Sequence, residues 1–126
     1  MNNTLMIDSL NKLMGFHIRV RELHWAVIPN HGLHKIIDDF DSDLLEFIDE
    51  IAEDAQSMFG RVNPGELTPQ LPGETEFGPL LRSIRVLLAV LKDKMKDKCW
   101  TGVVNCIDDF WHTVNKNLYL NGYENQ

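Results

Sequence analysis

The chain has 126 residues, 44% of them hydrophobic and 25% charged, with 12 Lys plus Arg against 19 Asp plus Glu for a formal charge of −7. That length holds one domain, residues 1–126, and buries roughly 65% of its unfolded surface, so a real core is expected and a disordered chain is excluded. The pI near 5.1 disfavours a partner recognised through phosphate neutralisation and suits cations better.

The longest apolar run is Val86 to Leu91, far short of the roughly 20 residues a membrane span requires, and no basic region followed by an apolar block opens the chain. Cys99 and Cys106 lie seven residues apart in a helical segment, about 10 Å and beyond disulfide reach. Free thiols and a cytoplasmic location are the expectation.

All five prolines fall between positions 29 and 79, and the proline-free flanks read as helix. The first helix, about Thr4 to Val27 with Asn3 or Thr4 as N-cap, carries a stripe of Met6, Leu10, Leu13, His17, Val20, His24 and Val27. Pro29, Asn30 and Gly32 break it. The second stripe runs through Ile37, Phe40, Leu44, Ile48, Ile51, Ala55 and Met58. Gly60 to Gly78, with three prolines and four glycines, cannot be regular helix throughout. From Pro79 the stripe Leu80, Ile84, Leu87, Leu91, Met95 predicts a third helix. After a break near Cys99 to Gly102, Val103, Ile107, Phe110, Val114 and Leu118 predict a fourth. Two short links and one long crossover between the second and third helices is the connectivity of an all-α, ferritin-like four-helix bundle.

The acidity belongs to the second helix. Asp39, Asp43, Glu46, Glu50 and Asp54 form one stripe that reads as a solvated face, while His34, Asp38, Asp49 and Glu53 share an arc of about 100° beside the apolar stripe. His34/Asp38 and Asp49/Glu53 are i,i+4 pairs, each able to place two ligand atoms on one cation, and imidazole with carboxylate suits iron, manganese or zinc. Nine of the seventeen residues from Asp38 to Asp54 are acidic, so carboxylate pairs alone are nearly unavoidable.

His17 and His24 occupy core positions of the first stripe, where an unpaired polar ring costs roughly 1 to 3 kcal/mol, so each needs a partner. His17 reads as a hydrogen-bonded core histidine, and His24, beside Trp25, as either that or a ligand. Asp109-x-x-His112 only faintly imitates the Glu-x-x-His pairs of a one-chain di-iron centre, which is therefore not expected. No phosphate-cradling Gly-rich loop, nucleophile elbow or Cys-x-x-Cys is present. His31 reads as a turn residue, and both cysteines, on the face of Val103 and Phe110, as core fillers.

Fifteen residues separate His34 from Asp49, about 22 Å of helix, whereas two metals of one centre sit about 4 Å apart. One chain cannot close a site with both pairs. A two-fold axis crossing the helix near Asp41 and Ser42 would set the His34/Asp38 end of one copy against the Asp49/Glu53 end of the other, giving two composite sites per dimer.

Leu23-His24-Trp25, then His34-x-x-x-Asp38, then Asp49-Glu50-Ile51-Ala52-Glu53 resembles the signature of the Dps mini-ferritins across residues 5 to 58. The resemblance implies a homo-oligomeric shell, a dodecamer in the family, whose two-fold interfaces bind ferrous iron and oxidise it with peroxide or oxygen, storing ferric iron inside. It implies His24, Asp49 and Glu53 as holders of the tighter iron, with His34 and Asp38 of the partner subunit holding the second or orienting its water. The acidic stripe would then face the cavity and nucleate mineral. Three features depart from the family: a turn between His24 and His34 about two residues short, a Pro/Gly loop in place of the short crossover helix, and no Lys-rich tail ahead of the first helix. DNA binding is not expected, and Arg82, Arg85, Lys92, Lys94, Lys96 and Lys98 read as a salt-bridged surface. The alternative is a non-catalytic helical structural or interaction module with a vestigial metal site, using Trp100, Trp111, Tyr119 and Tyr123 for contacts.

Overall fold

The computed structural model describes residues 4–27, 29–96 and 101–122. It contains four helices, α1 (Thr4–Ala26), α2 (His31–Phe59), α3 (Phe77–Lys96) and α4 (Thr101–Leu120), and no strand among the described residues. The chain is an all-α four-helix bundle. Residues 97–100, which include Cys99 and Trp100, lie outside the described residues, as do Asn3 and Tyr123.

The stripes set the packing. Met6, Leu10, Leu13 and Val20 of α1, Ile37, Phe40, Leu44, Ile48, Ile51 and Ala55 of α2, and the five stripe residues of α4 are all buried in one core. Around the bundle α1 packs on α2, α2 on α4 and α4 on α3, with a lighter seam from α3 back to α1. The middle of the core is aromatic: Phe47 and Phe110 stack at 4.5 Å with 10° between their planes, while Phe40 meets Phe77 edge-on at 5.6 Å. Such ring pairs add about 0.5–1.5 kcal/mol each to their burial.

Two boundaries and two burial positions differ from the periodicity reading. α3 begins at Phe77 rather than Pro79, because Phe77 is buried against Phe40 and the Leu80 N–H closes on the Glu76 carbonyl at 3.0 Å. Pro79 then falls in the first turn, where its missing N–H is no loss. Leu88 of α3 is fully buried and Leu87 only partly so, and Met58, on the last turn of α2, is half exposed. Asn30 caps α2 by accepting from the Leu33 N–H at 3.1 Å, so His31 opens the helix instead of shaping a free turn.

Residues 60–76 form a strap without helix. Gly60 leaves α2 at φ 95°, a left-handed backbone that favours glycine. The strap then runs along α1: Asn11 Oδ1 accepts from the Thr68 N–H at 2.7 Å, the Asn11 carbonyl from the Gln70 N–H at 2.9 Å, and Arg19 donates to the Glu74 carbonyl at 3.3 Å. Contact positions advance from 11 to 19 as the strap advances from 68 to 74, so the strap climbs α1 in parallel and delivers α3 to the end where α2 begins. It sits so close over Gly15 that a Cβ there would lie 1.7 Å from the Gln70 carbonyl oxygen.

Candidate functional site

The C-terminal turn of α1 and the first two turns of α2 meet at one end of the bundle. The Asn30 cap and the His34 N–H bond to the Asn30 carbonyl at 2.9 Å fix the first turn of α2 beneath the end of α1. His34 Nδ1 lies 2.9 Å from the His24 carbonyl oxygen, one of the four carbonyls that the end of a helix leaves without an intrahelical donor. A carbonyl only accepts, so His34 carries a proton on Nδ1 and donates it there.

His24 is 8% exposed, and its Nδ1 is buried without a hydrogen-bond partner among the described residues. The nearest carboxylate oxygen is Asp38 Oδ1 at 3.6 Å, inside ion-pair range and outside hydrogen-bond range. The His24 and His34 rings lie 3.8 Å apart between centroids with 37° between their planes. One imidazole nitrogen and one carboxylate oxygen thus face each other with a second imidazole beside them, donor types that first-row divalent ions take.

Asp49 and Glu53 do not join them. Both are exposed on α2, which runs unbroken from His31 to Phe59 and holds Asp49 about 22 Å along its axis from His34. The implied grouping of His24 with Asp49 and Glu53 is not found within one chain: His24 sits with His34 and Asp38. Among the described residues no three His, Cys, Asp or Glu side chains are arranged to hold a metal ion.

Two neighbours of this site escaped the sequence reading. Asp41, whose side chain is 3% exposed, accepts from His17 Nδ1 at 2.7 Å through Oδ1. Arg21 Nη1 lies 3.1 Å from Asp38 Oδ1 and 3.5 Å from Asp41 Oδ2, and its guanidinium is 5.9 Å from the Trp25 ring centroid. His17 therefore has the partner its core position requires. The signal for Asp41 was present: it is four residues after Ile37 and three before Leu44, in the apolar stripe itself, opposite a histidine in the stripe of α1.

The outer carboxylates Asp39, Asp43, Glu46, Glu50 and Asp54 are all exposed. Cys106 packs at the edge of the core and not within it. It is half-buried against that face, its Sγ 3.9 Å from Asp54 Oδ2. Burial first, then the hydrogen bond to Glu50 and the charges of Glu50, Asp54 and Asp109, push its thiol up to about 11.

No helix among the described residues is long and apolar enough to cross a membrane. The chain matches no family model, no curated protein and no solved structure.

Proposed function

We propose that the chain is a mini-ferritin of the Dps kind, which binds ferrous iron and oxidises it at centres shared between two copies of the chain. The observation that carries this reading is the buried Nδ1 of His24, unpartnered among the described residues and facing Asp38 Oδ1 at 3.6 Å, with the His34 ring tilted beside it. A polar atom in that state costs about 1–3 kcal/mol unless something fills the place of its partner. A divalent cation between His24 Nδ1 and Asp38 Oδ1 would do so, and zinc or manganese would suit the same donors.

Donors from one chain leave a ferrous ion undersupplied, and a pair of ions more so. An antiparallel pairing of α2 with its symmetry mate about the middle of the helix sets exposed Asp49 and Glu53 of the partner subunit opposite His24, His34 and Asp38. Carboxylates from one copy then favour the ferric product, while neutral imidazoles from the other keep the ferrous substrate bindable. Each ferrous ion gives up one electron. Two such electrons break the O–O bond of peroxide, four reduce dioxygen to water, and the ferric product hydrolyses with release of protons to the exposed acidic face. Closed assembly into a shell, with Asp39, Asp43, Glu46, Glu50 and Asp54 facing inward, would retain that product. The acidic balance argues against DNA as a partner, and a reducing cytoplasm suits the free thiol of Cys106.

A second reading, a helical interaction module with a vestigial site, draws on Arg21, which already occupies Asp38 with a positive charge. Aerobic titration of ferrous iron into the purified protein near pH 6.5, with particle size measured on the same sample, separates the two. Oxidation faster than in buffer by an oligomer supports the mini-ferritin, and the buffer rate from folded protein supports the module.

A further inference from the structure

Arg21 stands between two carboxylates of opposite exposure. The Asp38 side chain is 52% exposed and that of Asp41 is 3%, yet both lie within reach of the same Nη1, at 3.1 and 3.5 Å. Asp38 Oδ1, the oxygen Arg21 holds, is also the one that faces the orphaned His24 Nδ1. A cation entering beside His24 needs that oxygen and brings like charge against the guanidinium, so Arg21 must withdraw. Asp41 is where it can go. Its Oδ2 is free of His17, which takes Oδ1, and a buried carboxylate gains more from a full guanidinium contact than an exposed one does.

We infer that Arg21 and Asp41 form a handover pair for the cation site, Arg21 neutralising Asp38 in the metal-free chain and moving wholly onto Asp41 when a divalent ion takes Asp38. The inference rests on the proposed iron reading and extends it: Arg21 and Asp41 are positioning residues that set how tightly the site binds, without touching the ion. Trp25 keeps the guanidinium nearby during the exchange through its ring face. His17 keeps the Asp41 carboxylate turned so that Oδ2 remains towards Arg21.

The test is anaerobic calorimetric titration of ferrous iron, repeated with zinc, into the wild-type chain and the variants R21Q, D41N and R21Q/D41N. Because no oxidant is present, the readout is binding alone. R21Q should bind roughly fivefold tighter, since Asp38 loses its competitor. D41N should bind roughly fivefold weaker, since Arg21 then has only Asp38 to hold. The double variant should return to the R21Q affinity, because without Arg21 the charge of Asp41 no longer matters to the ion. A merely structural Asp41 would leave the double variant as weak as D41N, and that result overturns the handover. If D41N fails to fold, R21Q against R21K decides, since lysine keeps the competing charge: equal affinities overturn the proposal. Tight binding without aerobic oxidation sinks the proposed function and leaves the handover standing. Binding in neither the wild type nor R21Q overturns both.

Discussion

His34 Nδ1 donates to the backbone carbonyl of His24 across 2.9 Å, so one histidine caps the helix that carries the other. The bond fixes the tautomer of His34 and presses the two rings to 3.8 Å. It also makes the two residues respond oppositely to replacement. His34→Ala removes a made hydrogen bond and a ring contact, and should lower the stability of the metal-free protein by about 1 kcal/mol. His24→Leu removes an unmade one and keeps an apolar side chain in the core, so the metal-free protein should gain about 1 kcal/mol. Both variants should oxidise ferrous iron only at the buffer rate. Urea denaturation without metal measures the stabilities, and a loss of stability in His24→Leu would mean that the ring has a partner after all.

The strap over α1 depends on a missing side chain. Gly15→Ala puts a methyl where the Gln70 carbonyl already is, so the strap must lift, and destabilisation by about 2–4 kcal/mol is expected. Asn11→Ala keeps the backbone bond to Gln70 and loses the side-chain bond to Thr68, for about 1 kcal/mol. Limited proteolysis should cut within residues 60–76 first in Gly15→Ala. Equal stability and equal protection in the two variants would contradict the close seating of the strap.

Cys106 should be a slow nucleophile. With its thiol pushed up to about 11 from an ordinary 9.0, roughly a hundredfold less thiolate is present at pH 8. Iodoacetamide modification, followed at the Cys106 peptide by mass spectrometry, should be slowed accordingly and should speed up in E50Q and D54N, which remove negative charge from beside the sulfur. Rates unchanged in both variants would show that burial alone holds the thiol.

Much of this was legible because the helices are amphipathic and the breaks are chemical. The 3.6-residue stripes of α2 and α4 marked the core because all their apolar positions but Met58 face the same interior, and the Pro/Gly-rich segments around Pro29 and after Gly60 marked where α2 starts and stops. His17 demanded a partner because it sat among Leu13 and Val20. Asp41 showed its place in the apolar stripe but not its partner: a carboxylate there takes its meaning from the facing helix, and the pairing of α1 with α2 is a tertiary fact. Arg21 was hidden for the same reason, since its reach to Asp38 and Asp41 spans two helices. Cys106 misled because the face of Val103 and Phe110 is apolar at its centre and meets the carboxylates of α2 at its edge.

The central claim is that each centre takes His34 and Asp38 from one copy and Asp49 and Glu53 from another. One protein carries His34→Ala with Asp38→Ala, the other Asp49→Ala with Glu53→Ala, and His24 stays intact in both. Each alone lacks half of every centre. A mixed dimer has one centre built from two intact halves and one with neither, and random pairing makes about half the dimers mixed, so about a quarter of wild-type ferrous oxidation should return on co-refolding. Mass tags on the two chains confirm the mixing. Recovery near a quarter is the predicted result, and confirmed mixed dimers that oxidise iron no faster than buffer would contradict it.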